Sequence, residues 1–400
     1  MSEPISFDEV RPVGRAREAL LRRLMDFVAL PSSRVAPQDR SMCGDILLDM
    51  LFHATDSERV ICAERLAGMR EAPRRVLRYL AQSGYEIARP VLEQNDAFNT
   101  SDLLDMLDKV TIKHRLLIAE RKRVQSAVCD RLIEMGEKLV IIALLENEGA
   151  ALSEHAVDLA VALSRKHSAL CDYLINRAEL NPAQAMAMFW WSDSATRRAI
   201  LQRYSADRRE MIDMCADVFR LAADENWQDP VARKTLQLIE RRQRNRAALE
   251  KSPFESLEQA ALYAAKKGMS PPVMDEIGYL SGVKPVTIAK IFSDVGGEGL
   301  AVMCKATGMK RDSLKNLWLG LRRPYQQADG TLNPAYAHVE ETFDILSVAK
   351  AQTTLRYWNW SLSSTYSPVR MNGTMSAEDV ANDESAFSTP RRTARLVFGK

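Results

Sequence analysis

The feature of this sequence that most constrains its fold is a short segment that recurs through the first half of the chain. Each copy is an apolar stretch that closes on Glu, Asn or Gln. The copies are VICAERL (60–66), ARPVLEQ (88–94), LLIAERK (116–122), IIALLEN (141–147), CDYLINR (171–177) and RAILQRY (198–204). Their closing residues are Glu64, Glu93, Glu120, Glu146, Asn176 and Gln202, separated by 29, 27, 26, 30 and 26 residues. A period of about 20–50 residues is typical of stacked repeat proteins.

The segments between these closing residues carry the residues that start helices. Pro73 and Pro182 stand where a first helical residue is expected, and Ser or Thr beside an acid opens other segments. Apolar residues then recur three or four apart, as in Leu103, Leu104 and Leu107, which predicts amphipathic helices. Because so short a helix pair cannot bury its apolar faces alone, neighbouring pairs must stack into one continuous core.

Composition points to a soluble chain without a marked electrostatic preference. A length of 400 residues exceeds a usual single globular core and predicts two domains or an extended array. The net charge of +2 argues against a strongly basic nucleic-acid-binding fold. The apolar run LVIIALL (139–145) is far too short to cross a bilayer, and the first residues lack a signal-peptide pattern. We therefore expect a cytoplasmic protein.

The polar residues suggest neither a catalytic centre nor a metal site. The six cysteines are scattered singly and the five histidines lack metal-ligand spacing, so a disulfide or zinc framework is not expected. No nucleophile stands beside a matching base, and the paired carboxylates are of the kind that ordinarily open helices. The sequence predicts a protein that is not an enzyme and has no cofactor.

The glycine cluster in SDVGGEGLAVMCK (293–305) raises the question of a phosphate-binding loop. A Walker loop needs Lys and then Ser or Thr after its last glycine, whereas Leu300 and Ala301 follow here. A dinucleotide fingerprint needs a preceding strand, whereas a helical pattern precedes these glycines. We predict a tight turn that places Glu298 in the first turn of the next helix, where the helix dipole favours an acid.

Several of these segments together resemble a known family. They are the helix-pair register, the ARPVLE and IAER helix ends, the FWW segment and the later GGEGLAVMCKATGM. The family is an uncharacterised, mainly alphaproteobacterial group of all-helical repeat proteins, known only as a domain of unknown function. The similarity covers about residues 40–323. It implies a HEAT-like α solenoid in a bacterial cytoplasmic protein, and it supplies no active site.

The sequence thus predicts an all-α protein with two lobes, the first an α solenoid and the second a smaller set of helical hairpins. Gly268, Gly282 and Gly308 in the second lobe are predicted to end helices in the left-handed conformation. The predicted divisions are an N-terminal amphipathic helix and linker (1–40), the repeats (41–226), a connector helix (227–251), the helical hairpins (252–360) and a disordered tail (361–400).

Two groups of residues are candidates for binding a partner. The first is Trp190 and Trp191, because adjacent tryptophans cannot share one helical face and one ring is then available to a partner. The second is the cluster Arg241, Arg242, Arg244 and Arg246. These arginines cover more than one helical face, so the alternative for them is a solvated connector helix.

The favoured function is a non-enzymatic scaffold or regulatory adaptor that binds a partner protein along its helical-repeat surface. One alternative is a DNA-binding regulator that uses the helix-turn-helix-like hairpin at 273–292. Its candidate DNA contacts are Lys284, Thr287 and Lys290. Another alternative is a protein that binds a membrane surface or an anionic ligand through the basic amphipathic helix at 11–30.

Overall fold

The computed structural model describes residues 14–31, 33–240 and 244–361, and over these ranges it contains helices and no β-strand. In chain order the α-helices are α1 Arg15–Val28, α2 Pro37–Phe52, α3 Asp56–Ala67, α4 Arg74–Ala81, α5 Tyr85–Gln94, α6 Thr100–Leu107, α7 Ile112–Ala119, α8 Ser126–Glu134, α9 Lys138–Glu146, α10 Glu154–Ser164, α11 Leu170–Leu174, α12 Pro182–Met188, α13 Ser194–Tyr204, α14 Arg208–Met214, α15 Ala216–Asp224, α16 Pro230–Glu240, α17 Leu257–Lys267, α18 Pro271–Ser281, α19 Pro285–Ser293, α20 Glu298–Thr307, α21 Arg311–Gly320, α22 Pro334–Ile345 and α23 Val348–Ser361. The predicted all-α class is confirmed. The predicted tail lies, after Ser361, outside the described residues.

The chain divides into two compact units between Glu179 and Leu180. The first unit holds α1 to α11 and the second holds α12 to α23. The segment 227–251, predicted as a connector helix, lies within the second unit.

The helices of the first unit pack in two layers. In one layer α3, α5, α7, α9 and α11 contact one another in succession. In the other layer α2 contacts α4, and α8 contacts both α6 and α10. Fully buried Leu66, Leu92 and Leu144 contribute to the apolar core from the first layer, and Leu80 and Leu132 do so from the second. These short helices pack on their neighbours because no single helix pair can bury its own apolar faces.

Four polar side chains link successive helices of the first layer, and we call them the carbonyl ladder. They are Asn95, Arg121, Asn147 and Arg177. Each donates two hydrogen bonds of 2.5–3.0 Å to backbone carbonyls at or just after the end of the preceding layer helix, 26 to 30 residues earlier. Carbonyls at a helix end lack the amide that would bond to them within the helix, and the ladder gives each of these carbonyls a side-chain donor. The carbonyls of Leu66, Met69 and Asn147 also accept a backbone amide from the turn that follows.

Removing one rung of the ladder is expected to loosen the two helices that it joins. Asn147→Ala leaves the carbonyls of Ala119 and Arg121 without their donor, at a cost of about 1–3 kcal/mol. Hydrogen exchange should show faster exchange of the α7 and α9 amides. The control is Asn176→Ala, because Asn176 is exposed and its Nδ2 donates to the carbonyl of Asp172, only four residues earlier. Equal effects of the two substitutions would contradict a role for the ladder.

In the second unit, α20 lies at the centre of the packing. It contacts α19, α21, α22 and α23, and each of its residues except Lys305 is buried. α17 packs against α21, and α14 packs against α23. Two of the predicted glycine caps are confirmed, since Gly282 and Gly308 are left-handed, with φ of 69° and 75°. Gly268 differs, with φ of 91° and ψ of 159°, because the next amide bonds to the carbonyl of Gly320 and not back to its own helix.

The segment predicted as one connector helix is shorter in the structure. α16 ends at Glu240, and a 3-10 helix follows over Arg246–Lys251. Between them, the backbone amide of Asn245 donates to the carbonyl of Leu280 at 2.9 Å. An amide that bonds to another helix cannot continue the i to i−4 ladder of its own helix, so the α-helix does not extend through Asn245.

Candidate functional site

The glycine-rich turn between α19 and α20 already holds an anion, which is supplied by the protein itself. The Oδ2 atom of Asp294 accepts hydrogen bonds from the amides of Gly297 at 3.1 Å and Gly299 at 3.3 Å. These are the amides that would face a phosphate at the start of a helix. Glu298 occupies the first turn of α20, as predicted. The turn is therefore an internally satisfied connection in this conformation.

Around this turn lies a set of charges that we call the charge cluster, formed by the buried Arg197, Asp294 and Glu298 and the half-buried Arg323. Nη1 of Arg197 lies 2.7 Å from Oδ1 of Asp294 and 2.6 Å from Oε2 of Glu298. The three side chains are 7%, 1% and 3% exposed. Nη2 of Arg323 donates to the carbonyl of Asp294 at 2.6 Å, and burial lowers the pKa of Arg323 although both carboxylates oppose that effect. Two guanidinium groups thus balance two buried carboxylates, which fixes the turn.

The backbone of the turn approaches its neighbours too closely for side chains. A Cβ atom on Gly297 would lie 2.6 Å from Cζ3 of Trp318, and one on Gly296 would overlap the guanidinium of Arg197. Gly297 also has φ of 82°, in the left-handed region. The glycines therefore serve close packing around the charge cluster.

The two tryptophans stand in a turn and not on a helical face. α12 ends at Met188, so the argument from helical spacing does not apply to Trp190 and Trp191. Both are half-buried. The ring of Trp190 packs on that of Trp358, with centroids 4.7 Å apart, and the ammonium of Lys290 lies 5.7 Å from the Trp190 centroid. Trp190 thus contributes to packing within the second unit.

Arg244 is the member of the arginine cluster whose side chain the structure describes. Arg241 and Arg242 lie outside the described residues, as does the side chain of Arg246. Nη2 of Arg244 donates to both carboxylate oxygens of Glu258 at 2.6 Å. Arg244 is therefore engaged within the second unit.

The helix-turn-helix-like hairpin at 273–292 consists of α18, the left-handed Gly282 and α19. Of the three predicted DNA contacts, Thr287 is buried and Lys284 and Lys290 are half-buried. Thr287 is fully buried, so its side chain reaches no base edge, and the amide of Lys284 donates to Oδ1 of Asn359 on α23. The ammonium of Lys290, towards the end of α19, lies over the ring of Trp190.

Four exposed apolar residues of the second unit lie on the successive helices α14, α15 and α16. Met214 is 81% exposed, Val231 72%, Leu221 58% and Val218 41%. α14 has no buried residue among those described, and Ala222 is the buried residue of α15. The apolar spacing of SADRREMIDMCADVF predicts a buried helical face, but here Met214 and Val218 are exposed and the other large apolar residues of the segment are half-buried. Large apolar side chains grouped in this way mark interaction sites.

Acidic residues lie among these apolar side chains. Asp217, Leu221 and Asp224 are spaced four and three residues apart on α15 and share one face, and Glu225 follows directly. The exposed carboxylates of this region include Asp213, Asp217, Asp224, Glu225 and Asp229, and one exposed arginine lies on each of the three helices, Arg209, Arg220 and Arg233. Among the described residues of the second unit, none of these five carboxylates takes part in an ion pair. We call these five acidic residues and Met214, Val218, Leu221 and Val231 the α14–α16 surface.

A tight turn sets the positions of α15 and α16. Asn226 and Trp227 both have positive φ, 51° and 56°, which is unusual for residues other than glycine. Their amides donate to the carbonyls of Ala223 and Ala222 at 3.0 and 2.8 Å, and these bonds close the end of α15. The turn thereby brings α15, which carries Leu221, into contact with α16, which carries Val231.

The structure thus defines an all-helical protein of two compact units with a mixed acidic and apolar surface on the second. Among the described helices, none is long and apolar enough to cross a membrane, and the described residues contain no cluster of potential metal ligands. The chain belongs to the DUF2336 family, described as an uncharacterised protein conserved in bacteria, whose model matches residues 87–356. No curated protein and no solved structure matches the chain.

Proposed function

We propose that this protein is a non-enzymatic scaffold or regulatory adaptor, and that its partner protein binds at the α14–α16 surface. The observation that carries the proposal is the outward orientation of Met214, Val218, Leu221 and Val231 among carboxylates without ion pairs. Apolar contacts supply affinity at such a surface, whereas unpaired charges steer and orient the partner. The partner segment should therefore combine basic and apolar residues.

The state of the cysteines supports both the non-enzymatic role and a cytoplasmic location. All six are free thiols, as expected in a reducing compartment. Burial raises the pKa of the Cys62 and Cys129 thiols to about 12, so both are protonated at neutral pH and are poor nucleophiles.

The proposal is tested by capturing partners with the full-length chain from the bacterial cytoplasm, in the presence of nuclease. We expect a stoichiometric protein that the wild type retains and that Leu221→Asp loses. Reconstituted binding should weaken about tenfold or more, because an apolar contact is replaced by a charge among carboxylates. The matched control is Leu262→Asp, which places the same charge at a 43% exposed leucine on α17.

Two results would contradict the proposal. One is a set of partners that binds wild type and Leu221→Asp equally, which would place the interface elsewhere. The other is recovery of nuclease-sensitive nucleic acid alone, which would favour DNA binding.

A further inference from the structure

We propose that residues 391–398 of this same chain, RRTARLVF, dock on the α14–α16 surface. The regulatory meaning of this contact rests on the proposed function, since a segment bound there would compete with the partner. The segment lies outside the described residues, and the proposal uses its sequence alone. The structure supplies the surface and the place where α23 ends.

The chemistry of the segment complements that of the surface. Three arginines, Arg391, Arg392 and Arg395, stand next to the apolar run Leu396, Val397 and Phe398. The α14–α16 surface offers five exposed carboxylates and four exposed apolar side chains, and its carboxylates outnumber the three exposed arginines of the same helices, Arg209, Arg220 and Arg233. Arginine pairs well with carboxylates because its planar fork can donate two parallel hydrogen bonds. The arginines of the segment therefore match the carboxylates of the surface, and its apolar run matches the exposed apolar side chains.

The last described helix brings the chain to the same elements. α23 contacts α14, and Nη1 of Arg356 donates to the carbonyl of Ile239 on α16 at 2.9 Å. Nε of Arg208, on α14, donates to that same carbonyl at 3.0 Å. About 30 residues separate Ser361 from Arg391, and a linker of that length reaches on the order of 30 Å without being extended. Tethering at this distance gives an effective concentration on the order of millimolar, so a modest intrinsic affinity is sufficient.

The contact can be tested in the full-length protein by photo-crosslinking. Phe398 is replaced by benzoylphenylalanine, the protein is irradiated, and the cross-linked peptides are identified by mass spectrometry. We expect cross-links within one chain to residues 211–235. Replacement of Phe387, an aromatic residue without neighbouring arginines, is the position control and should give several-fold fewer cross-links to that range.

Substitutions on the surface make the test specific. Leu221→Asp should reduce the cross-link about tenfold and Leu262→Asp should leave it unchanged. Asp217→Arg with Asp224→Arg should also reduce it, and adding Arg392→Asp and Arg395→Asp should restore it. All of these surface positions are exposed, so the substitutions do not disturb the core. Restoration by charge reversal would not be expected from a non-specific collision.

Three results would overturn the inference: cross-links mapping outside 211–235, an unchanged yield in Leu221→Asp, or cross-links formed only between chains when isotopically labelled and unlabelled copies are mixed.

The cross-linking result is independent of the partner experiment. Partner binding without an intrachain cross-link would leave the proposed function standing and remove this inference. An intrachain cross-link without any partner would support the docking and remove the proposed function. If the segment docks within the chain and a partner also binds the same surface, the double substitution Leu396→Asp with Phe398→Asp should strengthen partner binding several-fold.

Discussion

Replacing Arg197 with methionine is expected to lower the free energy of unfolding of the second unit by about 3–5 kcal/mol. The substitution leaves the carboxylates of Asp294 and Glu298 buried without the guanidinium that lies between them. All six tryptophans lie in the second unit, so urea denaturation followed by tryptophan fluorescence reports on that unit directly.

The neighbouring arginine provides the control for this prediction. Arg198 pairs with the half-exposed Glu341, and Arg198→Met should cost no more than about 1 kcal/mol, as is usual for ion pairs in contact with water. Adding Asp294→Asn and Glu298→Gln to Arg197→Met should recover part of the loss, because the unpaired charges are then removed. Equal losses from Arg197→Met and Arg198→Met would show that the charge cluster contributes no more than a surface pair.

The second large effect is expected at the glycine turn. Gly297→Ala should cost about 2–5 kcal/mol, as the sum of a left-handed backbone penalty and overpacking against the buried ring of Trp318. The same fluorescence measurement in urea checks it, with the midpoint moving to lower denaturant and the slope unchanged.

Gly308 separates the two contributions to this effect. It has a similar φ of 75°, but a Cβ atom there would meet nothing within 4 Å. Gly308→Ala should therefore show the backbone penalty alone, about 1–2 kcal/mol. If the two alanine variants lose equal stability, the close approach to Trp318 is not a constraint on the turn.

The helices of this protein were largely predictable, because their signals are local. Proline at Pro182 opens α12 and glycine at Gly282 ends α18, as the sequence indicates. The carbonyl ladder was not predictable in the same way. The predicted register marks, such as Glu93 and Glu146, lie one or two residues before the ladder residues Asn95 and Asn147. The ladder also alternates between asparagine and arginine, so no single letter recurs at its positions.

The charge cluster and the α14–α16 surface depend on contacts between distant residues. Arg197 and Glu298 are 101 positions apart, and nothing near either residue indicates that an arginine is buried there. Conversely, Val218 and Leu221 have the spacing of a buried helical face, and they are exposed because no other described element covers them. In both cases tertiary packing, and not the spacing of apolar residues in the sequence, decides whether a side chain is buried or exposed.

The carbonyl ladder has a consequence for how such a chain can evolve. Its donors recognise main-chain oxygens, which every helix end possesses whatever its side chains are. Neighbouring repeats therefore need not match each other residue by residue at these junctions. Their sequences can drift apart, and a repeat can be duplicated or exchanged, while the joint between helices is preserved.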